Sequence, residues 1–104
     1  MKPPLVIAHR GFSDEAPENS IAAFQKAIEA KSDMVELDVR LSADNVPMVF
    51  HDRRLQRTSN GNGPINEKHS RQLTMIDNGS WFSPKFNKER IPELKDIFPL
   101  LCLN

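Results

Sequence analysis

The sequence predicts an α/β fold: a parallel strand–helix–strand unit followed by an antiparallel hairpin. Three observations carry that prediction. Leu5–Ala8 is a short apolar run without alternation, the pattern of a strand covered on both faces as in parallel sheets. Ile21, Phe24 and Ile28 recur at helical spacing. The stretch "MVELDVRLS", Met34 to Ser42, then returns to strand character, and a second strand-like run follows it after only a few residues.

Taken in order, the first strand runs into "HRG", so His9, Arg10 and Gly11 lie just beyond its C-terminal end. The loop "FSDEAPENS" leads to a helix, with Pro17 ahead of it and Asn19 or Ser20 as N-cap. The helix extends from Ser20 to about Ala30, and Lys31–Asp33 ends it. A strand over Met34–Ser42 is then parallel to the first. Met48–His51 follows too soon for a parallel crossover, which needs about a dozen residues, so these two strands form a hairpin. Asp44-Asn45 is the expected two-residue tip, because both residues tolerate positive φ. Centring the hairpin there pairs Leu41 with Met48, Val39 with Phe50 and Asp38 with His51, and puts Glu36, Asp38 and His51 on one face.

From Asp52 to about Arg90 the pattern is irregular, with "RTSNGNGPI" a loop. Asn66 is expected to cap a short helix through Leu73, and His69 to be one of its solvated residues. "IPELKDIFPLL" predicts a helix with Pro92 in its first turn and Pro99 cutting or kinking it near Phe98.

The chain of 104 residues suits one small domain. Its net charge is zero, which argues against a nucleic-acid or membrane-surface partner. No apolar run approaches the roughly 18 residues of a membrane span, so stable membrane insertion is not expected. "MKPPLVIAHRG" leaves no room for a signal peptide, and the single Cys102 reads as a small hydrophobe, so a cytoplasmic location is expected.

Glu36 and Asp38 pose the chemical question. Two apart on a strand, they point the same way with Cβ atoms roughly 6.5 Å apart. Oxygens reaching inward from that separation can meet on one hard cation at about 2.0 to 2.6 Å, which removes the repulsion between them. Oxygen ligands favour Mg2+ or Ca2+ over Zn2+. Alone, such a pair is a weak signal and more often lines the wet face of an edge strand. Its company sharpens the reading, since His51 lies opposite Asp38, and His9 and Arg10 leave the neighbouring strand at the same end. Two imidazoles can share acid–base work, and a guanidinium suits phosphate geometry. Together with a cation they point to phosphodiester cleavage.

The ordered set "AHRG", "PENS", "ELDV", "PMVFHD", "L-x-RTSNGNG", "GSWF" and "IPEL" resembles the glycerophosphodiester phosphodiesterases over nearly the whole chain. The resemblance implies the N-terminal part of a TIM (β/α)8 barrel of the phospholipase C-like phosphodiesterase type. It also implies hydrolysis of a small-molecule glycerophosphodiester to glycerol 3-phosphate and an alcohol, with a divalent cation, Ca2+ or Mg2+. His9 and His51 match the catalytic pair, Glu36 and Asp38 match metal ligands, and Arg10 matches a phosphate-binding arginine. A substrate hydroxyl attacking first would give a cyclic phosphate that water then opens. Residues 1–51 correspond to the first barrel strands, helix and active-site hairpin, 52–90 to an insertion near the active-site mouth, and 91–104 to the start of the next barrel helix.

Three departures from the family pattern stand out: Ser20 for the usual Thr, Asp44-Asn45 for Asp-Gly, and Pro99 within a helix that normally continues. A barrel of this kind needs roughly 250 residues and eight strands, so this chain has too few to close it. It stops before the later strand whose glutamate completes the family's metal site. A fragment or truncated product is therefore expected, with a non-catalytic remnant or a related phospholipase as alternative readings. Glu18 reads as a first-turn acid facing the helix dipole. Arg57 and Asn60 read as loop-fixing residues, and Trp81 and Phe82 as packing for the insertion rather than a substrate wall.

Overall fold

In the computed structural model, which describes residues 5–102, strands β1 (Ile7–His9) and β2 (Met34–Glu36) pair in parallel, with Ile7 beside Met34 and His9 beside Glu36. The first four residues and the Cys102 side chain lie outside the described set, so the expectations for them do too. Helix α1 (Ile21–Glu29) makes the crossover. Ser20 caps it: its Oγ accepts the Ala23 N–H at 3.1 Å and donates to the Pro17 carbonyl at 2.6 Å. At the other end Lys31 takes a left-handed φ of 58°. The Ser32 N–H then reaches back to the Ala27 carbonyl at 3.1 Å, and that of Lys31 to Ile28 at 3.0 Å, a Schellman closure at a position usually held by glycine.

The expected single strand from Met34 to Ser42 is instead two. After β2 the chain breaks at Leu37–Asp38, and β3 (Val39–Leu41) pairs antiparallel with β4 (Pro47–Val49) in a separate two-stranded sheet. The register also differs by one residue: Val39 faces Val49, Arg40 faces Met48 and Leu41 faces Pro47. Turn chemistry is the reason. The Asn45 N–H donates to the Ser42 carbonyl at 3.0 Å, Asn45 sits at φ 62°, and the Ser42 N–H meets Val46 O at 3.0 Å. The loop therefore has three residues, Ala43 to Asn45, with the left-handed residue last, rather than a two-residue tip. Asp44 anchors it by accepting the Ser42 hydroxyl and, from across the chain, the Ser70 N–H at 2.8 Å and hydroxyl at 2.7 Å.

Strand β4 is a wall shared by two cores. Met48 and Phe50 pack with Leu55, Ile65, Leu73 and Ile91, while Val49 faces the other way onto Phe24 and Ile97. Alternation along one strand thus ties the 52–90 segment to one side and the helices to the other. That segment has a single turn of 3-10 helix at Ile65–Glu67, then helix α2 (Ser70–Leu73), then another 3-10 turn at Pro84–Phe86. His69, not Asn66, caps α2. Its Nδ1 accepts the Arg71 N–H at 3.1 Å, and Gln72 returns a bond to the His69 N–H at 3.2 Å. Asn60 and Asp77 exchange backbone and side-chain bonds at 3.0 and 3.2 Å, which pins the loop. Trp81, Phe82 and Phe86 pack edge-on in a row with centroids 5.7 Å apart.

Helix α3 (Leu94–Cys102) starts after Pro92, whose carbonyl accepts the Val49 N–H at 2.9 Å, and continues through Pro99 instead of stopping. Pro99 removes one intrahelical donor, but Leu94, Ile97 and Leu101 hold the helix by packing on the Phe24 core. No helix of the described residues is long and apolar enough to cross a membrane.

Gly11 follows β1 at φ 80°, and a Cβ there would stand 2.7 Å from Ala23 Cβ and 2.8 Å from its carbonyl carbon. Gly11→Ala therefore combines a left-handed strain with a clash against helical backbone. It should lower unfolding free energy by roughly 2 to 4 kcal/mol in urea titration. The second prediction concerns acid. Hydrogen bonds from the hydroxyls of Ser42 and then Ser70 hold the Asp44 carboxyl well below its ordinary 3.8. A depressed folded value means that this stabilisation is complete above the ordinary carboxylate range and is lost as pH falls below it. The urea midpoint should drop below about pH 4, and Asp44→Asn should be weaker at neutral pH and lose less between about pH 5 and pH 3.

Candidate active site

The site lies where β1 and β2 end. His9 Nε2 is 3.1 Å from Glu36 Oε2, the two residues being direct partners across the parallel pair. Beyond His9 the backbone turns sharply, with Arg10 at φ 57° and Asn19 at φ 58°. Two left-handed non-glycine residues cost on the order of 1 kcal/mol each, a strain typical of sites whose surroundings over-determine them. Here the Asn19 N–H donates to the Arg10 carbonyl at 2.8 Å, and the buried Asn19 side chain clasps Asp38. Its Nδ2 donates to Asp38 Oδ2 at 3.1 Å, and its Oδ1 accepts the Asp38 N–H at 3.4 Å.

Arg10 points to the same carboxylate, with Nε 3.3 Å from Asp38 Oδ2, and its Nη1 donates to both oxygens of Glu18 at 3.3 and 3.4 Å. Glu18 is not a first-turn acid. It precedes the Ser20 cap, and the first turn of α1 holds no acidic residue. Its second cation is Arg57, which donates to it at 2.9 and 3.2 Å and to Asp52 at 2.8 and 2.9 Å. Asp52 in turn meets His51 Nδ1 at 2.7 Å. The hydrogen bond from Arg57 is the main cause holding the Asp52 carboxyl below the usual range, so it stays an ionised acceptor. His51 Nδ1 must then be the protonated nitrogen, which leaves Nε2 as the basic face.

All five residues singled out from sequence therefore sit in one ionic network or beside it. His9 joins Glu36 directly, and Arg10 joins Asp38. His51 reaches the Arg10–Asp38 pair through Asp52, Arg57 and Glu18 rather than by facing Asp38 across the hairpin. Four members were not assigned to the site from sequence: Glu18, Asn19, Asp52 and Arg57. The signal available for them was charge spacing, with an acid directly after His51 and an arginine five residues beyond it.

One buried atom at the site has no close partner, Glu36 Oε1, whereas the buried Arg10 Nε faces Asp38 Oδ2 in an ion pair at 3.3 Å. Burying an acceptor unsatisfied costs about 1 to 3 kcal/mol, so Glu36 Oε1 calls for a partner. For a carboxylate oxygen a cation is such a partner. Among the described residues no three His, Cys, Asp or Glu side chains converge closely enough to enclose a metal by themselves. The all-oxygen pair Glu36 and Asp38, one atom of it orphaned, nevertheless has the donor chemistry of a hard divalent cation site completed by other ligands.

The sequence pattern of the Glycerophosphoryl diester phosphodiesterase family matches residues 9–103. A glycerophosphodiester phosphodiesterase of Caldanaerobacter subterraneus is 45% identical over 97 residues, covering 93% of this chain and 40% of the relative. Among solved structures, the glycerophosphodiester phosphodiesterase of Agrobacterium tumefaciens superposes with a TM-score of 0.92 at 39% identity, covering 95% of this chain and 43% of that one. An Oleispira antarctica phosphodiesterase, solved with the product sn-glycerol-3-phosphate, superposes with a TM-score of 0.85 at 44% identity, covering 88% and 37%. The chain thus spans about two fifths of the length of the relatives it matches. It is an α/β part of their TIM-barrel fold, with no closed barrel among its described residues. It belongs to the glycerophosphoryl diester phosphodiesterase family.

Proposed function

We propose that this chain carries the phosphate-binding and acid–base residues of an enzyme that hydrolyses glycerophosphodiesters to glycerol 3-phosphate and an alcohol. The observation that carries the reading is the gathering of groups at the ends of adjoining parallel strands: Glu36, with a buried oxygen left unpartnered, beside His9, and Arg10 beside Asp38. A cation supplies what the Glu36 oxygen lacks, and a guanidinium suits the phosphodiester that such a cation would bind. The product named for the Oleispira relative supports the same substrate class.

The roles follow from the contacts. Glu36 and Asp38 hold the divalent cation, Mg2+ or Ca2+, and its contribution when bound is to stabilise charge on the phosphoryl oxygens. Arg10 is fixed by Glu18 and Asp38, and its guanidinium is the group that meets a phosphoryl oxygen. His51 is oriented through Nδ1 by Asp52, so its Nε2 can take the proton of the attacking hydroxyl. His9, beside Glu36, serves the leaving alcohol. Residues 52–90, packed on β4 through Leu55, Ile65 and Leu73, form the insertion at the mouth of the site, and α3 begins the next barrel helix.

The test is release of glycerol 3-phosphate from glycerophosphocholine with Mg2+ or Ca2+, with and without chelator. Chelator-sensitive release is expected, and His9→Ala or His51→Ala should each lower turnover on the order of a hundredfold or more. Near-normal turnover in both variants, or release indifferent to chelator, contradicts the assignment.

A further inference from the structure

Next to His51 the surface carries a second concentration of positive charge that the proposed chemistry does not use. Arg40, Arg53 and Arg54 line one groove of about 520 Å3, floored by Val39, Leu41 and Ile65, and no acidic residue lines it. Their situation differs from that of the site arginines. Arg10 and Arg57 each engage two carboxylates. Arg53 and Arg54 make no ion pair among the described residues, although Asp52 is adjacent, because Asp52 is turned to His51 and Arg57. Arg40 donates Nε–H to the His51 carbonyl at 2.9 Å, and its terminal nitrogens have no acceptor among the described residues.

Three guanidiniums gathered without counter-charge repel one another, and an anion placed among them removes that cost. The forked donors of arginine match phosphate oxygens in particular. Position decides what carries the phosphate. The groove is tethered through Arg40 to the backbone of His51, the residue whose ring is assigned to the acid–base work, and Val39 and Leu41, 44% and 50% exposed, offer an apolar floor leading from it.

Resting on the phosphodiesterase reading above, we propose that this groove is a second anion subsite, taking a phosphomonoester carried on the alcohol half of the substrate. The enzyme then prefers glycerophosphodiesters whose leaving alcohol is itself phosphorylated. Free phosphate offers the same chemistry, so the test separates the two sources.

Glycerophosphoinositol and glycerophosphoinositol 4-phosphate differ by one phosphate and serve as matched probes, by titration calorimetry and by glycerol 3-phosphate release. The 4-phosphate should bind about tenfold more tightly and show a correspondingly lower KM. Arg53→Ala with Arg54→Ala should erase that preference and leave turnover of glycerophosphoinositol unchanged. Equal binding of the two probes, or a preference that survives the double substitution, overturns the subsite. Inorganic phosphate bound through Arg53 and Arg54 with no preference between the diesters assigns the groove to the free ion and overturns the substrate role. If neither diester is cleaved, the phosphodiesterase reading fails, while the calorimetric comparison still decides the subsite.

Discussion

One carboxylate between two guanidiniums holds the site together. Glu18 is mostly buried, its side chain 11% exposed, and receives Arg10 on one side and Arg57 on the other. Each guanidinium then reaches a second acid, Asp38 for Arg10 and Asp52 for Arg57. A buried acid tolerates that position only when it is paired, and pairing it twice joins four chain segments: the turn after β1, the approach to α1, the end of β2, and the return from the hairpin. Arg10 and Asp38 are in this chain of charges, His51 is one hydrogen bond from it through Asp52, and the His9–Glu36 pair stands beside it at the ends of β1 and β2. Glu36 Oε1 is left over, a buried carboxylate oxygen that neither His9 nor the chain of charges satisfies.

The scaffold that presents these charges depends on β4. Its alternation sends Met48 and Phe50 into the core of the 52–90 segment and Val49 into the core of α1 and α3. The segment after His51 is therefore anchored to the same strand that delivers His51. That coupling explains how a stretch with little regular structure can hold Asp52 and Arg57 at fixed distances, and how the arginine groove comes to lie against the β3–β4 hairpin. Asp44 does the same at the far end, tying the hairpin tip to the start of α2 through Ser70.

The crossover unit was legible because apolar runs and helical spacing are strong signals, and the Ser20 cap was among the two candidates named. The hairpin existed as expected, but its register did not follow from matching apolar partners. The exposed Val39 and Leu41 share no core with Met48 and Phe50, and a three-residue loop ending in a left-handed Asn45 sets the pairing. Pro99 was expected to cut or kink the helix because its missing donor is visible in sequence, whereas the packing that lets the helix continue is tertiary. In the site, the residues of the E-x-D pair and both histidines stand out by type and spacing. Glu18 and Arg57 do not, since their partnership spans 39 positions and looks like solvated charge until the chain is folded.

The central claim is that the two acids and the two imidazoles form one cation-centred site even though His51 is reached through Asp52 and not directly. Paramagnetic broadening by Mn2+ in the isotope-labelled chain tests it most directly. The account predicts that the ring resonances of His9 and His51 broaden together at low metal, that His69 at the hairpin tip is affected less, and that Glu36→Gln abolishes the effect. Broadening of His9 without His51, or broadening that survives loss of the Glu36 charge, would contradict it.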